Sequence, residues 1–287
     1  MSSAPIAISH LDHVELTVPD LALAVDFYTR ALGLALTGEI DGCVWLSVRP
    51  GAAAIVPRHD VVVREESRAA LHHVAFGCPD PTALERTLAE VQRRGVAVEP
   101  ADGDGARLRD PAGTLVELVV ARPLVPRPPG AAPFEAVKLG HVTMQSPDPC
   151  EQEEFWRTRL GFRLSDQIGH DFYWLRCNRD HHTIAFSRGE PAGPHHVALE
   201  LGSWEDIKLA CDHLAGQGCP IEFGPCRHGP GNNVAIYVRD PFGMRWELFS
   251  ELERIDDDEA WTPRRWEGGR QNTVNLWGPR PSESYYR

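Results

Sequence analysis

HHVALEL at residues 195–201 and MRWELFSEL at residues 244–252 decide how this chain is built. Both alternate like half-buried strands, so each has one apolar and one polar face. In the first, Val197, Leu199 and Leu201 share the apolar face with His195, and His196 points the other way. In the second, Trp246 and Leu248 face the core and Glu247 lies opposite. Upstream, GHVTMQS at 140–146 turns Val142 and Met144 inward and His141 outward. Three strands therefore each present one metal ligand from a polar face. Two imidazoles and one carboxylate, with coordination positions left open, suit non-heme ferrous iron, and manganese fits the same ligands.

Working outward, the same wording occurs twice. DHVELTV answers GHVTMQS, LHHVAF answers PHHVALEL, and RDPAGTLVELV answers RDPFGMRWELF, so His13, His73 and Glu117 repeat His141, His196 and Glu247. Between these strands lie amphipathic helical stretches: PDLALAVDFYTRALGL, ending near Gly33, DPTALERTLAEVQRRGV, closed at Gly95, PDPCEQEEFWRTRLGF, and SWEDIKLACDHLAGQG. CVWLSV and AAAIVP read as further strands of the first half, and GARLRDPAGTLVELVV as a hairpin. The expected fold class is α+β, with four strand-helix-strands units in two paired sets, each set a curved sheet enclosing a cleft. The proline-rich stretch at 122–134 reads as a stiff linker. The domains expected are 1–121, 135–254 and a tail at 255–287, which wraps over the body as a lid or a subunit contact.

A chain of 287 residues is comfortable for two domains. Its formal net charge of -12 argues against a nucleic-acid partner, which needs a basic surface. No apolar run is long enough to span a membrane, and the amino terminus lacks a basic flank, so a cytoplasmic protein is expected. Seven cysteines without CxxC spacing indicate neither a disulfide framework nor a structural zinc site. Gly229, Gly231 and Gly243 are turn glycines, since no GxxxxGK accompanies them, and the acidic run Asp256 to Glu259 reads as solvated surface.

The second half carries a sharper set of segments: HTIAF at His182, the second histidine of PHHVALEL at His196, GPCRHGPGNN at His228, VAIYVRDP at Tyr237 and WELF at Glu247. In this order they resemble the type I extradiol catecholic dioxygenases of the vicinal oxygen chelate superfamily. The general resemblance covers roughly Leu11 to Glu253. It implies tandem βαβββ modules and iron(II) on His141, His196 and Glu247. It further implies catalytic roles for His182, His228 and Tyr237, a catecholic substrate with O2, and a homo-oligomer. The ring would open beside its two hydroxylated carbons.

HHTIAF offers two neighbouring histidines, and alternation does not choose between them; the resemblance favours His182, with His181 the fallback. Alternation does turn the Tyr237 hydroxyl toward the cleft, opposite Val234, Ile236 and Val238. Two other readings compete. A glyoxalase-like metal-dependent lyase or isomerase needs a second carboxylate or a domain-bridging site, and a non-catalytic resistance protein that binds an aromatic drug has no need of a ligand triad. In the first domain the position answering His182 falls in AAAIVP as an alanine, and the residue answering Tyr237 is Arg107. A guanidinium in that cleft repels a metal ion, so one iron per chain is expected, in the second domain.

Overall fold

The computed structural model of the protein describes residues 6–48, 59–101, 105–121, 133–134, 136–266, 271–278 and 281–283. In the first half these form β1 (His10–Val18), α1 (Leu21–Arg30), β2 (Ala35–Ile40), β3 (Cys43–Ser47) and β4 (Val61–Glu65). There follow β5 (Ala70–Cys78), α2 (Pro81–Arg93), β6 (Glu99–Pro100), β7 (Ala106–Arg109) and β8 (Leu115–Val120). The second half repeats the order with β9 (Ala136–Ser146), α3 (Pro149–Thr158), β10 (Arg163–Ile168), β11 (Phe172–Arg176) and β12 (Ile184–Arg188). It continues with β13 (Gly193–Leu201), α4 (Trp204–Gly216), β14 (Ile221–Arg227), β15 (Val234–Arg239) and β16 (Arg245–Ser250), and the tail adds β17 (Arg264–Trp266) and α5 (Gln271–Val274). Each half is thus a pair of βαβββ modules.

The helices start where the sequence supplies a cap. Asp20, Asp80, Asp148 and Ser203 each accept a backbone N–H of the first turn. Gly95 and Gly218 close α2 and α4 with φ of 84° and 71°, a region that costs glycine little.

The modules pair through their first strands, β1 against β5 and β9 against β13, both antiparallel. The sheets run β2-β3-β4-β1-β5-β8-β7-β6 and β14-β15-β16-β13-β9-β12-β11-β10-β17. One apolar core runs through both halves. It is cross-docked. Tyr28 of α1 packs on Trp246 of β16 at 5.2 Å between ring centres and donates to Asp240 Oδ2 at 2.7 Å, while Trp156 of α3 packs on Phe76 of β5 at 5.5 Å.

Three features depart from the sequence reading. The last strand of the first module is VVVRE at 61–65, and AAAIVP at 52–57 lies outside the described residues. Register then settles which residue answers His182. Val61 pairs with Leu46 and Val14 as Ile184 pairs with Leu175 and Val142, so His59 stands where His182 stands, and not an alanine. β2 was not visible in the sequence, because ALTGEI has little apolar alternation; it is an edge strand. The acidic run is more than solvated surface: Asp258 pairs with the buried Arg176 at 2.8 Å. Most of the expected linker, residues 122–132, lies outside the described residues.

Candidate metal centre

Five neighbouring strand positions build the site, one side chain from each. Tyr237 on β15, Glu247 on β16, His196 on β13 and His141 on β9 follow across the sheet, and His182 stands just before β12. Pairing brings Tyr237 opposite Glu247, Glu247 beside Ala198, and His196 opposite Thr143. Adjacent strands are about 4.8 Å apart, so side chains on one concave face of three such strands converge.

They do converge. His141 Nε2 lies 3.0 Å from Glu247 Oε2 and 3.3 Å from His196 Nε2, and His196 Nε2 lies 3.0 Å from the same carboxylate oxygen. All three residues are buried. Metal–ligand bonds of about 2.1 Å at right angles separate neighbouring donor atoms by about 3.0 Å, so the triad has the spacing of one face of an octahedron. Asn233 Nδ2 donates to the other oxygen, Glu247 Oε1, at 2.9 Å, leaving Oε2 for an ion. The donor set fits a divalent transition metal.

Burial works to raise the Glu247 carboxyl, but His141 and His196 outweigh it and hold the group well below the usual carboxylate range. Burial pushes His196 down to about 4, against the pull of Glu247. A carboxylate facing a neutral imidazole is the protonation state that ligation requires.

His182 is buried against the His141 ring, 4.2 Å between centres, and burial, aided by His141 and His181, holds it well below the usual histidine value. Its Nδ1 lies 3.1 Å from His181 Nδ1, and His181 Nε2 lies 3.2 Å from the buried Asp166 Oδ2. A proton on His181 Nε2 is favoured by that carboxylate, which makes His181 Nδ1 an acceptor and gives His182 its proton on Nδ1. The His182 Nε2 lone pair then faces the cleft. Of the two candidates, His182 lines the cleft and His181 stands behind it.

His228 and Tyr237 form a unit. His228 Nδ1 donates to the Val274 carbonyl at 2.6 Å, so Nε2 accepts from the Tyr237 hydroxyl at 2.7 Å. Burial holds His228 below its usual value. The opposite wall of the cleft is Phe172 stacked on Trp174, 3.9 Å apart and 11° from parallel, and the tail contributes Thr273 and Val274.

Three contributors were missed in the sequence. His195, expected on the apolar face, lines the cleft, because a bulge between Pro194 and His196 breaks the alternation; its Nδ1 lies 2.7 Å from His196 Nδ1. Asn233 stands in the quoted GPGNN loop, one residue before β15, and alternation from Tyr237 would have placed it on the polar face. Asp166 carries no sequence signal, being a lone acid in a polar-looking strand.

The profile of the Glyoxalase/Bleomycin resistance protein/Dioxygenase superfamily matches residues 10–118 and 138–248, the two repeats just described. The chain belongs to this superfamily. It is 27% identical over 285 residues to metapyrocatechase from Geobacillus stearothermophilus, covering 91% of this chain and 86% of that protein. It superimposes on the anaerobic substrate complex of homoprotocatechuate 2,3-dioxygenase from Brevibacterium fuscum, bound to 3,4-dihydroxyphenylacetate, with a TM-score of 0.87, 26% identity, and coverage of 100% and 93%. A Mn(II)-bound glyoxalase from Novosphingobium aromaticivorans superimposes with a TM-score of 0.85, 26% identity, and coverage of 97% and 94%. The fold is the tandem one expected, and no helix among the described residues is long and apolar enough to cross a membrane.

Proposed function

We propose that this protein is an extradiol dioxygenase that opens a catechol beside its two hydroxylated carbons and inserts both atoms of O2. Iron(II) is held by His141, His196 and Glu247, and His182, His228 and Tyr237 handle protons. The observation that carries the reading is the His182 ring, backed by His181, and the linked hydroxyl of Tyr237 on opposite sides of one buried His-His-Glu set, beneath an aromatic wall. The likeness to metapyrocatechase and to the homoprotocatechuate enzyme points the same way. A ferrous ion supplies Lewis acidity toward the catechol oxygens and an electron source for triplet oxygen. The Phe172–Trp174 stack fits a flat ring and excludes water. His182 Nε2 takes a hydroxyl proton from the substrate and returns it when the ring opens; burial, which holds its imidazole neutral, makes it a base first and an acid second. Tyr237 hydrogen-bonds the substrate oxygen on its side, and His228 Nε2 receives or returns the phenolic proton.

In this reading the described part of the tail acts as a lid, through Thr273, Val274 and the His228 contact to Val274. The chain works in the cytoplasm as a homo-oligomer, which sedimentation would test. Chain loaded with iron(II) under argon and then given air and a panel of one-ring and two-ring catechols should consume one O2 per catechol and form a yellow product. Turnover of a hemithioacetal without oxygen uptake would favour the glyoxalase-like reading instead.

A further inference from the structure

The first domain repeats the whole arrangement, not only its ligand types. His13 Nε2 lies 3.1 Å from His73 Nε2, and His73 Nε2 lies 3.0 Å from Glu117 Oε2, with all three residues buried on β1, β5 and β8, the strands that answer β9, β13 and β16. Two of the spacings of the second-domain triad are thus repeated, and all three ligand atoms lie within 4.8 Å of one another. The outer contacts are stronger. Asp12 Oδ1 lies 2.9 Å from His13 Nδ1, favouring the proton there and leaving Nε2 to face His73, whereas among the described residues His141 Nδ1 has no hydrogen-bond partner. His73 Nδ1 lies 2.9 Å from His72 Nδ1 and 3.8 Å from Glu15 Oε2. Three buried carboxylates, on Asp12, Glu15 and Glu117, therefore surround the cluster. The two guanidiniums facing them are Arg64, on Glu15 at 2.8 Å, and Arg107, on Glu117 at 3.3 Å, both partly in solvent.

We infer that the first domain binds a second divalent transition-metal ion through His13 Nε2, His73 Nε2 and Glu117 Oε2. The expectation of a metal-free first domain had two premises. The supposed alanine is His59, buried with its ring 4.7 Å from that of His13 and 4.6 Å from that of Trp45. Arg107 does stand where Tyr237 stands, and its Nε lies 3.3 Å from Glu117 Oε2, but it is partly in solvent, while Asp12 and Glu15 add two further buried carboxylates behind the histidines. A 2+ ion on two imidazoles and a carboxylate is the occupant that fits; the nitrogen-rich set selects zinc, iron(II) or manganese(II) over magnesium or calcium. With a guanidinium in place of the tyrosine hydroxyl and Trp45 packed on His59, the role assigned to this ion is structural. It pins β1, β5 and β8 together.

Zinc is a suitable probe because it does not oxidise. Metal-free chain titrated with Zn(II) and dialysed should retain two equivalents by elemental analysis, His73→Ala one, His196→Ala one, and the double variant none. The equivalent that His73→Ala keeps in the second domain reports that the variant is folded; if it keeps none, His13→Gln, which conserves bulk, replaces it in the same measurement. One equivalent in the parent, undiminished in His73→Ala or His13→Gln, overturns the inference. So does a second equivalent that neither variant loses. The His196→Ala arm reads the other site separately, so failure of one assignment is not failure of the other.

Discussion

Asp166→Ala tests how the tail is fastened over the cleft. The carboxylate has no exposed surface and accepts from the Arg264 backbone N at 3.1 Å, Arg264 Nε at 3.0 Å and Trp266 Nε1 at 2.9 Å, with His181 Nε2 at 3.2 Å. Burial tends to raise this carboxyl, but His181 and Arg264 outweigh it and hold the group below its usual value, so it is a true anion that accepts from three donors with His181 in ion-pair range. Removing one partner of a buried ion pair costs about 3–5 kcal/mol. Arg264 is 39% exposed and can turn to water, which puts the loss near the lower end, about 3 kcal/mol. At about 2–4 °C per kcal/mol for a chain of this size, Tm should fall by about 6–12 °C. The functional effect should fall on binding: β17 loosens, and with it the segment that places Thr273, Val274 and the Val274 carbonyl on His228. Calorimetry, limited proteolysis of the tail and steady-state kinetics read the three parts, with KM for a catechol rising about tenfold, metal content kept, and Asp166→Asn milder on every count. A Tm within 1 °C of the parent and an equally protease-resistant tail would refute the reasoning.

His182→Phe should keep its metal and still bind a catechol under argon, while kcat falls on the order of a hundredfold or more, the usual cost of a lost proton-transfer group; a parent-like rate would move that role to His228. His196→Ala should lose the second-domain metal and oxygen uptake together, whereas His195→Ala, which removes the contact to His196 Nδ1, should weaken metal affinity by about 10–100-fold and still turn over when metal is in excess. Equal metal loss in both variants would sink that distinction. Metal-free protein should lose stability as pH falls from about 6.5 toward 4: the unfolded histidine takes its proton first, while burial keeps folded His196 neutral down to about 4, so about 2 kcal/mol is gone by pH 5 from this residue alone. His73, held near about 2 chiefly by burial, adds in the same direction, and urea midpoints that do not change between pH 7.5 and 5 would contradict both.

Much of the second-domain cleft was legible because it is made by alternation. His141, Glu247 and Tyr237 lie on regular stretches of strand where odd and even positions map onto two faces, and the capped helices between them fix the order. Illegible parts were those that alternation does not carry. His195 sits at a bulge, so its parity is wrong by one. His59 was hidden by unequal repeat lengths, since the apolar AAAIVP resembles a strand better than the residues just before VVVRE do. Asp166 is identified by partners about a hundred residues away, in a tail without period.

The cross-docked helices set terms for how such a chain can change over generations. Tyr28 belongs to the first repeat but covers Trp246, the immediate neighbour of Glu247, and Trp156 returns the arrangement by covering Phe76. Neither copy of the duplicated gene segment is therefore free to be discarded, even if all turnover happens in one of them: a mutation in α1 is felt beside the ligands of the other half. Drift is permitted at the one position of the first cleft where Arg107 has taken the place that answers Tyr237, and forbidden on the helix that leaves that half to support its twin.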